Sequence, residues 1–179
     1  MVQVRGRVNP QDQTVLALSV RILPPTGTVT AINGQTLTLT TTDGKTVTVN
    51  ITSTTVVYVG NVPVSAKAIV VGQTIGYEGT TASDGSVNAD KLWLTLPHAR
   101  GTVTAINTTT VTLQLSDGST VTIGLSPNTT YVQSGTSSNK GTPTVVNVQA
   151  VKVGSNVDIA ESGKPTTGMP TAVLVAVIS

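Results

Sequence analysis

Two copies of one heptapeptide, Gly27-Thr28-Val29-Thr30-Ala31-Ile32-Asn33 and Gly101-Thr102-Val103-Thr104-Ala105-Ile106-Asn107, constrain this chain more than any other feature. The second copy begins 74 residues after the first, and the flanking sequence keeps step. Thr36-Leu37-Thr38-Leu39, Asp43-Gly44 and Thr46-Val47-Thr48-Val49 follow the first copy. Thr110-Val111-Thr112-Leu113, Asp117-Gly118 and Thr120-Val121-Thr122-Ile123 follow the second at the same offsets. Ungapped self-similarity of this length is an internal repeat, so the chain must be read as units rather than as one continuous pattern.

The units divide further. Val2-Gln3-Val4-Arg5-Gly6 matches Ile75-Gly76-Tyr77-Glu78-Gly79, and Val157-Asp158-Ile159-Ala160-Glu161 takes the same place later. Each is followed by a polar turn and a strand of the form Ala-x-x-apolar-x-apolar: Ala17, Val20, Ile22; Ala89, Leu92, Leu94; Ala172, Val175, Val177. The chain therefore holds three second halves and two first halves, at 27–58 and 101–132. One hairpin is left over. The boundaries that follow are 1–25 for an N-terminal β-hairpin that is half a repeat, 26–97 for the first unit and 98–179 for the second.

Within a unit the local signals are those of short strands. Asn33-Gly34 and Asp43-Gly44 are hairpin turns. Leu37 and Leu39 alternate with Thr36, Thr38 and Thr40, and Val47, Val49 and Ile51 share one parity. Residues 61–72 hold a short helical turn around Ala66-Lys67-Ala68, and two strands follow, joined at Asp84-Gly85. Three strands, a connector and two strands is the order of a small five-stranded barrel of the OB type. The expected fold is all-β: two tandem five-stranded OB-like barrels plus the extra N-terminal hairpin. Residues 134–144, rich in Ser, Gly, Thr and Pro, read as a mobile insertion in the second unit.

The pattern Gly-Thr-Val-Thr-Ala-Ile-Asn, then Asp-Gly-Lys-Thr-Val-Thr-Val, then Val71-Gly72 and Ala89-x-x-Leu92, resembles a secreted bacterial repeat family, domain of unknown function five-six-six-six. The resemblance covers nearly all of 27–178 and, through its second half, 2–23. It implies a small β-barrel at the cell exterior and carries over no catalytic residues. The N-terminal half repeat departs from the whole-unit pattern of that family.

Chemistry is sparsely represented. The chain has no cysteine, which removes thiolate metal sites, thiol nucleophiles and disulfides. Its single histidine, His98, lies in Pro97-His98-Ala99-Arg100 with no acidic neighbour in sequence, so it reads as a solvated linker residue rather than a base. Asp43, Asp84 and Asp117 each precede Gly, where a turn accounts for them. No Asp-x-Asp spacing suggests calcium. The expectation is a non-enzymatic protein with no cofactor and no metal. With 10 Lys+Arg against 8 Asp+Glu and no basic cluster, nucleic acid is not an expected partner. No apolar run approaches the ~20 residues of a membrane span. Low charge with abundant Thr, Ser and Asn suits a secreted, extracellular or cell-surface protein, and Met1-Val2 inside a repeat suggests a processed or recombinant start. Asn50, Asn107 and Asn128 head glycosylation sequons. The Thr-x-Thr pairs could order water on a flat face, but Thr is also a favoured residue of any solvated strand, and a barrel twists.

The argument for function starts from the last strand of each unit. Lys91-Leu92-Trp93-Leu94-Thr95-Leu96 alternates, which turns Trp93 outward; Arg21 and Ala176 hold the matching position. Ala172 to Ile178 is apolar on both faces, and Val15 to Leu23 is nearly so. Such strands expect cover on both sides, and a bare one is an aggregation-prone edge. Covering three or four more aliphatic side chains is worth about 5–10 kcal/mol before ordering costs. The expectation is therefore a head-to-tail homopolymer held by β-strand addition, with an interface formed by Val15, Leu16, Leu18, Val20, Ile22, Trp93, Val173, Leu174, Val175 and Val177. The alternative is a monomeric cell-surface module that binds glycan or protein, with Trp93 as a stacking platform. A third reading makes the chain a piece of a longer tandem array.

Overall fold

The computed structural model describes residues 2–11, 14–134, 142–163 and 168–178. Strands β1 (Val2–Val8) and β2 (Val15–Ile22) form a hairpin, followed by β3 (Thr26–Asn33), β4 (Thr36–Thr41), β5 (Thr46–Val59), β6 (Val62–Val64), β7 (Thr74–Thr81) and β8 (Val87–Thr95). The second unit comprises β9 (His98–Ile106), β10 (Thr110–Leu115), β11 (Thr120–Gly124), β12 (Thr130–Gln133), β13 (Thr144–Val146), β14 (Asn156–Glu161) and β15 (Ala172–Ile178). The expected helical turn is a 3₁₀ turn at Ala66–Ala68, with a counterpart at Val148–Ala150. The insertion at 134–144 falls largely outside the described residues.

In the first unit β3, β7, β8, β5 and β4 pair in that order, and β4 pairs back with β3, so the sheet closes into a five-stranded barrel with β6 appended to β5. The core parity is as the alternation implies: Leu37, Leu39 and Val49 are fully buried, with Val29, Ile75, Leu92 and Val57 around them. The second unit repeats the ring through β9, β14, β15, β12 and β10–β11, with one difference. In the first barrel β5 runs unbroken past the corner Thr52-Ser53-Thr54-Thr55. At the same corner the second barrel has Ser126-Pro127-Asn128-Thr129. Proline cannot donate to a ladder, and the strand divides into β11 and β12 there. Closure is kept by a bridge from Gly124 to Thr171, with Gly124 N–H donating to Pro170 O at 2.8 Å. A hydroxyl pins both corners. Thr55 Oγ1 donates to Ala89 O, and Thr129 Oγ1 donates to Ala172 O at 2.8 Å, while accepting from the N–H three residues earlier.

The repeated heptapeptide has a geometric basis. Its second threonine is a bulge: pairing with the next strand skips Thr30 and Thr104, and their hydroxyls donate to Thr38 O at 3.1 Å and Thr112 O at 3.3 Å. Its glycine lies where two strands approach closely. A Cβ on Gly101 would fall 2.3 Å from Gln114 O, and one on Gly27 would fall 3.0 Å from Leu39 Cβ. The Asp-Gly turns are capped as expected: Asp84 accepts from Ser86 N–H and Oγ, and Asp117 accepts from Ser119 N–H and Oγ.

The three second halves agree strand for strand. In the pairs β1–β2, β7–β8 and β14–β15, Val4↔Val20, Tyr77↔Leu92 and Ile159↔Val175 are followed one step on by a bulge. Beyond it the pairing resumes at Gly6↔Ala17, Gly79↔Ala89 and Glu161↔Ala172. The N-terminal hairpin thus has the backbone register of a barrel half. It is nonetheless a two-stranded sheet of its own, and among the described residues no strand of either barrel pairs with it.

Candidate functional site

The shared register lets the outer surfaces of the two barrels be superimposed residue by residue. On the second barrel two cross-strand rows face outward from β14, β15 and β12: Asp158–Ala176–Val132 and Ala160–Leu174–Thr130. The same rows on the first barrel are Gly76–Trp93–Tyr58 and Glu78–Lys91–Val56. Apart from Asp158 and Thr130 the first face is apolar, whereas the second is aromatic and charged.

The apolar face is covered within the chain. Val132, Ala160, Val173 and Leu174 belong to the buried cluster of the first barrel rather than to that of their own. They meet the end of the first barrel that carries Val59, Val62, Leu94 and Leu96. Gln73, buried beside that seam, donates through Nε2 to Ala68 O and across to Ser162 O at 3.1 Å. A cavity of about 380 Å³ remains in the seam, with Asn61, His98, Ser134 and Asp158 among its polar lining.

This arrangement corrects the expectation for the C-terminal strand. β15 is not a bare edge, because β14 pairs along one side and β12 along the other. Val173 and Leu174 are sheltered by the first barrel of the same chain, and Val175 and Val177 lie in the core of the second barrel. Apolarity on both faces did signal cover on both faces, but the cover is intramolecular. Val15, Leu16, Leu18, Val20 and Ile22 are placed by backbone pairing only, and the expectation for their side chains lies outside the described residues.

His98 also differs from its reading as a solvated linker residue. It opens β9, and the β9–β14 pairing brings it beside Asp158, sixty positions away in sequence: His98 Nδ1 lies 2.7 Å from Asp158 Oδ1. Arg100 Nη2 donates to the other carboxylate oxygen, also at 2.7 Å. Burial pushes the Asp158 carboxyl up, but the hydrogen bonds from His98 and Arg100 outweigh it and hold the group below its ordinary value of 3.8. Both oxygens are engaged, so the trio ties β9 to β14 at the rim of the seam. A depressed carboxylate contributes stability that is complete above its unfolded value and lost as pH falls through the folded one. Acidification below about pH 4 is therefore expected to weaken the second barrel, and Asp158→Asn to remove part of that acid sensitivity, as thermal melts across pH 2–7 would show.

On the first barrel the corresponding face carries a stacked pair, Tyr58 and Trp93, with ring centroids 6.2 Å apart and planes inclined by 21°. Lys91 and Glu78 stand 4.0 Å apart next to them, and Val56 is 38% exposed. Trp93 is half-buried by the stack, so it is outward as expected but not free-standing. This face also borders an open strand edge. In the second barrel the β9–β14 ladder continues to Ala160↔His98 and to Glu161 N–H donating to Pro97 O. In the first, Pro24-Pro25 stands where His98-Ala99 stands in the second, and the ladder ends with Tyr77 N–H donating to Pro25 O. Residues 78–81 of β7 therefore run past the end of β3.

The sequons are differently placed. The Asn50 amide donates to Ser86 Oγ and Asn88 Oδ1, Asn107 Oδ1 accepts from Thr109 and Thr110 N–H, and Asn128 is exposed. Among the described residues no group of three His, Cys, Asp or Glu could hold a metal ion, and no helix is long and apolar enough to cross a membrane. No curated protein matches the chain. The closed barrel, its corner and the heptapeptide that builds it coincide with a match over residues 26–92 to the model of the family described as Domain of unknown function (DUF5666).

Proposed function

We propose that this is a non-enzymatic structural protein of the cell exterior, a subunit of a head-to-tail assembly in which the N-terminal hairpin is the joining element. The observation that carries this reading is the hairpin's register. β1–β2 repeats the pairing and bulge of β7–β8 and β14–β15, both of which are flanked by further strands on each side, yet among the described residues it pairs with neither barrel. A two-stranded ribbon is marginal in water by itself, and its free edges template further strands. Contact between unlike surfaces of identical subunits propagates unless it closes into a ring. Because β14 and β12 already pair along the two edges of β15, the ribbon would add to an edge other than the C-terminal strand.

The test is deletion of residues 1–23, which keeps Pro25 and its bond to Tyr77. Full-length chain should form polymers visible by electron microscopy and light scattering, and the truncated chain should not. Equal polymerisation by both would defeat the reading. The Tyr58–Trp93 stack favours one alternative, a monomeric surface module that stacks a sugar ring. Retained glycan-array binding by wild type and its loss in Trp93→Ala, without polymers, would select that alternative.

A further inference from the structure

We infer that the outer β7–β8–β5 face of the first barrel, bearing Tyr58, Trp93, Lys91, Glu78 and Val56, is a docking surface for a second copy of this chain. The inference rests on the assembly reading above and names the surface that the reading leaves open. Its basis is repetition within the molecule. The same face of the second barrel is the one covered by the unit before it in the chain, and there Val132, Ala160 and Leu174 are sealed against the first barrel. Barrel-to-barrel contact through this face is thus already realised once.

Between matching positions, the hairpin β1–β2 is joined to the first barrel by a shorter link than the one that joins the two barrels. From Ile22 to Gly27 the link is two residues shorter than from Leu94 to Gly101, the positions that match in register and repeat. On the first barrel Val56, Lys91 and Glu78 remain exposed, and the second barrel of another copy would cover them as the first barrel covers Val132, Ala160 and Leu174. Polarity agrees with this division. The end of the first barrel that enters the seam carries Val59 and Leu94, and it meets an apolar face. At the matching end of the second barrel Gln133 stands in place of Val59 while Val177 keeps the apolar character of Leu94, and the face proposed to receive it carries an ion pair and two aromatic rings. A permanent apolar seam inside the chain and an aromatic, polar one between chains is the usual contrast between obligate and reversible interfaces. Tyr and Trp are the residues such contacts favour.

Trp93 is the only tryptophan, so its emission reports on this face alone. The experiment compares wild type, Trp93→Ala and Val56→Arg by sedimentation velocity over a concentration series, with emission followed for the two Trp-containing proteins. Val56 is exposed and outside the barrel core, so its substitution tests the face without endangering the fold. Wild type should associate with a blue shift of Trp93 emission. Both variants should associate at least tenfold more weakly while melting as wild type does. Association of both variants at wild-type strength overturns the assignment of this face; if deletion of residues 1–23 still abolishes polymers, the hairpin reading survives alone. A wild-type chain that stays monomeric overturns both, as does a monomer whose Trp93 emission answers to a soluble glycan.

Discussion

Gly101→Val should leave the second barrel unfolded while the first remains folded. The new Cβ would meet Gln114 O at 2.3 Å and Gln114 C at 3.0 Å, both backbone atoms of the paired strand β10. Backbone cannot yield as a flexible side-chain end can, so β9 must separate from β10 or abandon its register. β9 also pairs with β14, which carries Val157 and Ile159 into the core, so the ring opens. A loss of about 4 kcal/mol or more is expected, at the extreme of single substitutions. Native-state hydrogen exchange would show loss of protection confined to residues 98–178. Gly27→Val should cost less, because the nearest obstacle there is a side-chain atom, Leu39 Cβ at 3.0 Å, with Thr40 O at 3.2 Å.

Leu174→Asp should uncouple the two barrels. Leu174 is 7% exposed and buried with the first-barrel core, while its backbone lies in β15 of the second. Aspartate is too short to carry its charge out to solvent, and among the hydrophobic side chains of that cluster an ionised carboxylate would be uncompensated. The expected cost is about 3–5 kcal/mol, the range for an unpaired charge left in a dry site. It should fall on the seam first, because each barrel keeps its own strand pairing. Calorimetry should resolve two unfolding transitions in the variant and one coupled transition in wild type. A single transition at wild-type cooperativity would mean that the seam carries no coupling.

Much of the barrel was legible because its determinants are local. Alternation of Leu37 and Leu39 with threonines, the Asn-Gly and Asp-Gly turns, and the 3₁₀ turn at Ala66–Ala68 each depend on residues within a few positions of one another. Comparison of the repeats extended this further than composition could: aligning Val2–Gly6 with Ile75–Gly79 and Val157–Glu161 marked three equivalent hairpins, and the structure adds the pairing register and bulge position they share. The bulge at Thr30 and Thr104 was not anticipated, although a hydroxyl at the same place in both copies was available as a signal. The division of β11 from β12 had a plainer one in Pro127, which replaces Ser53.

The site was less legible, because its parts meet across long sequence separations. His98 had no acidic neighbour in the chain, but strand pairing set Asp158 beside it. Nothing in local sequence marks such a partner; only the β9–β14 register does. The ribbon from Ala172 to Ile178 shows the same limit from another side. Its sequence determined that both faces would be covered, since a strand apolar on both faces cannot rest against water. Tertiary structure alone decided that the first barrel of the same chain supplies the cover. A side chain's polarity records whether it is sheltered, whereas the identity of the shelter depends on how two closed barrels stack.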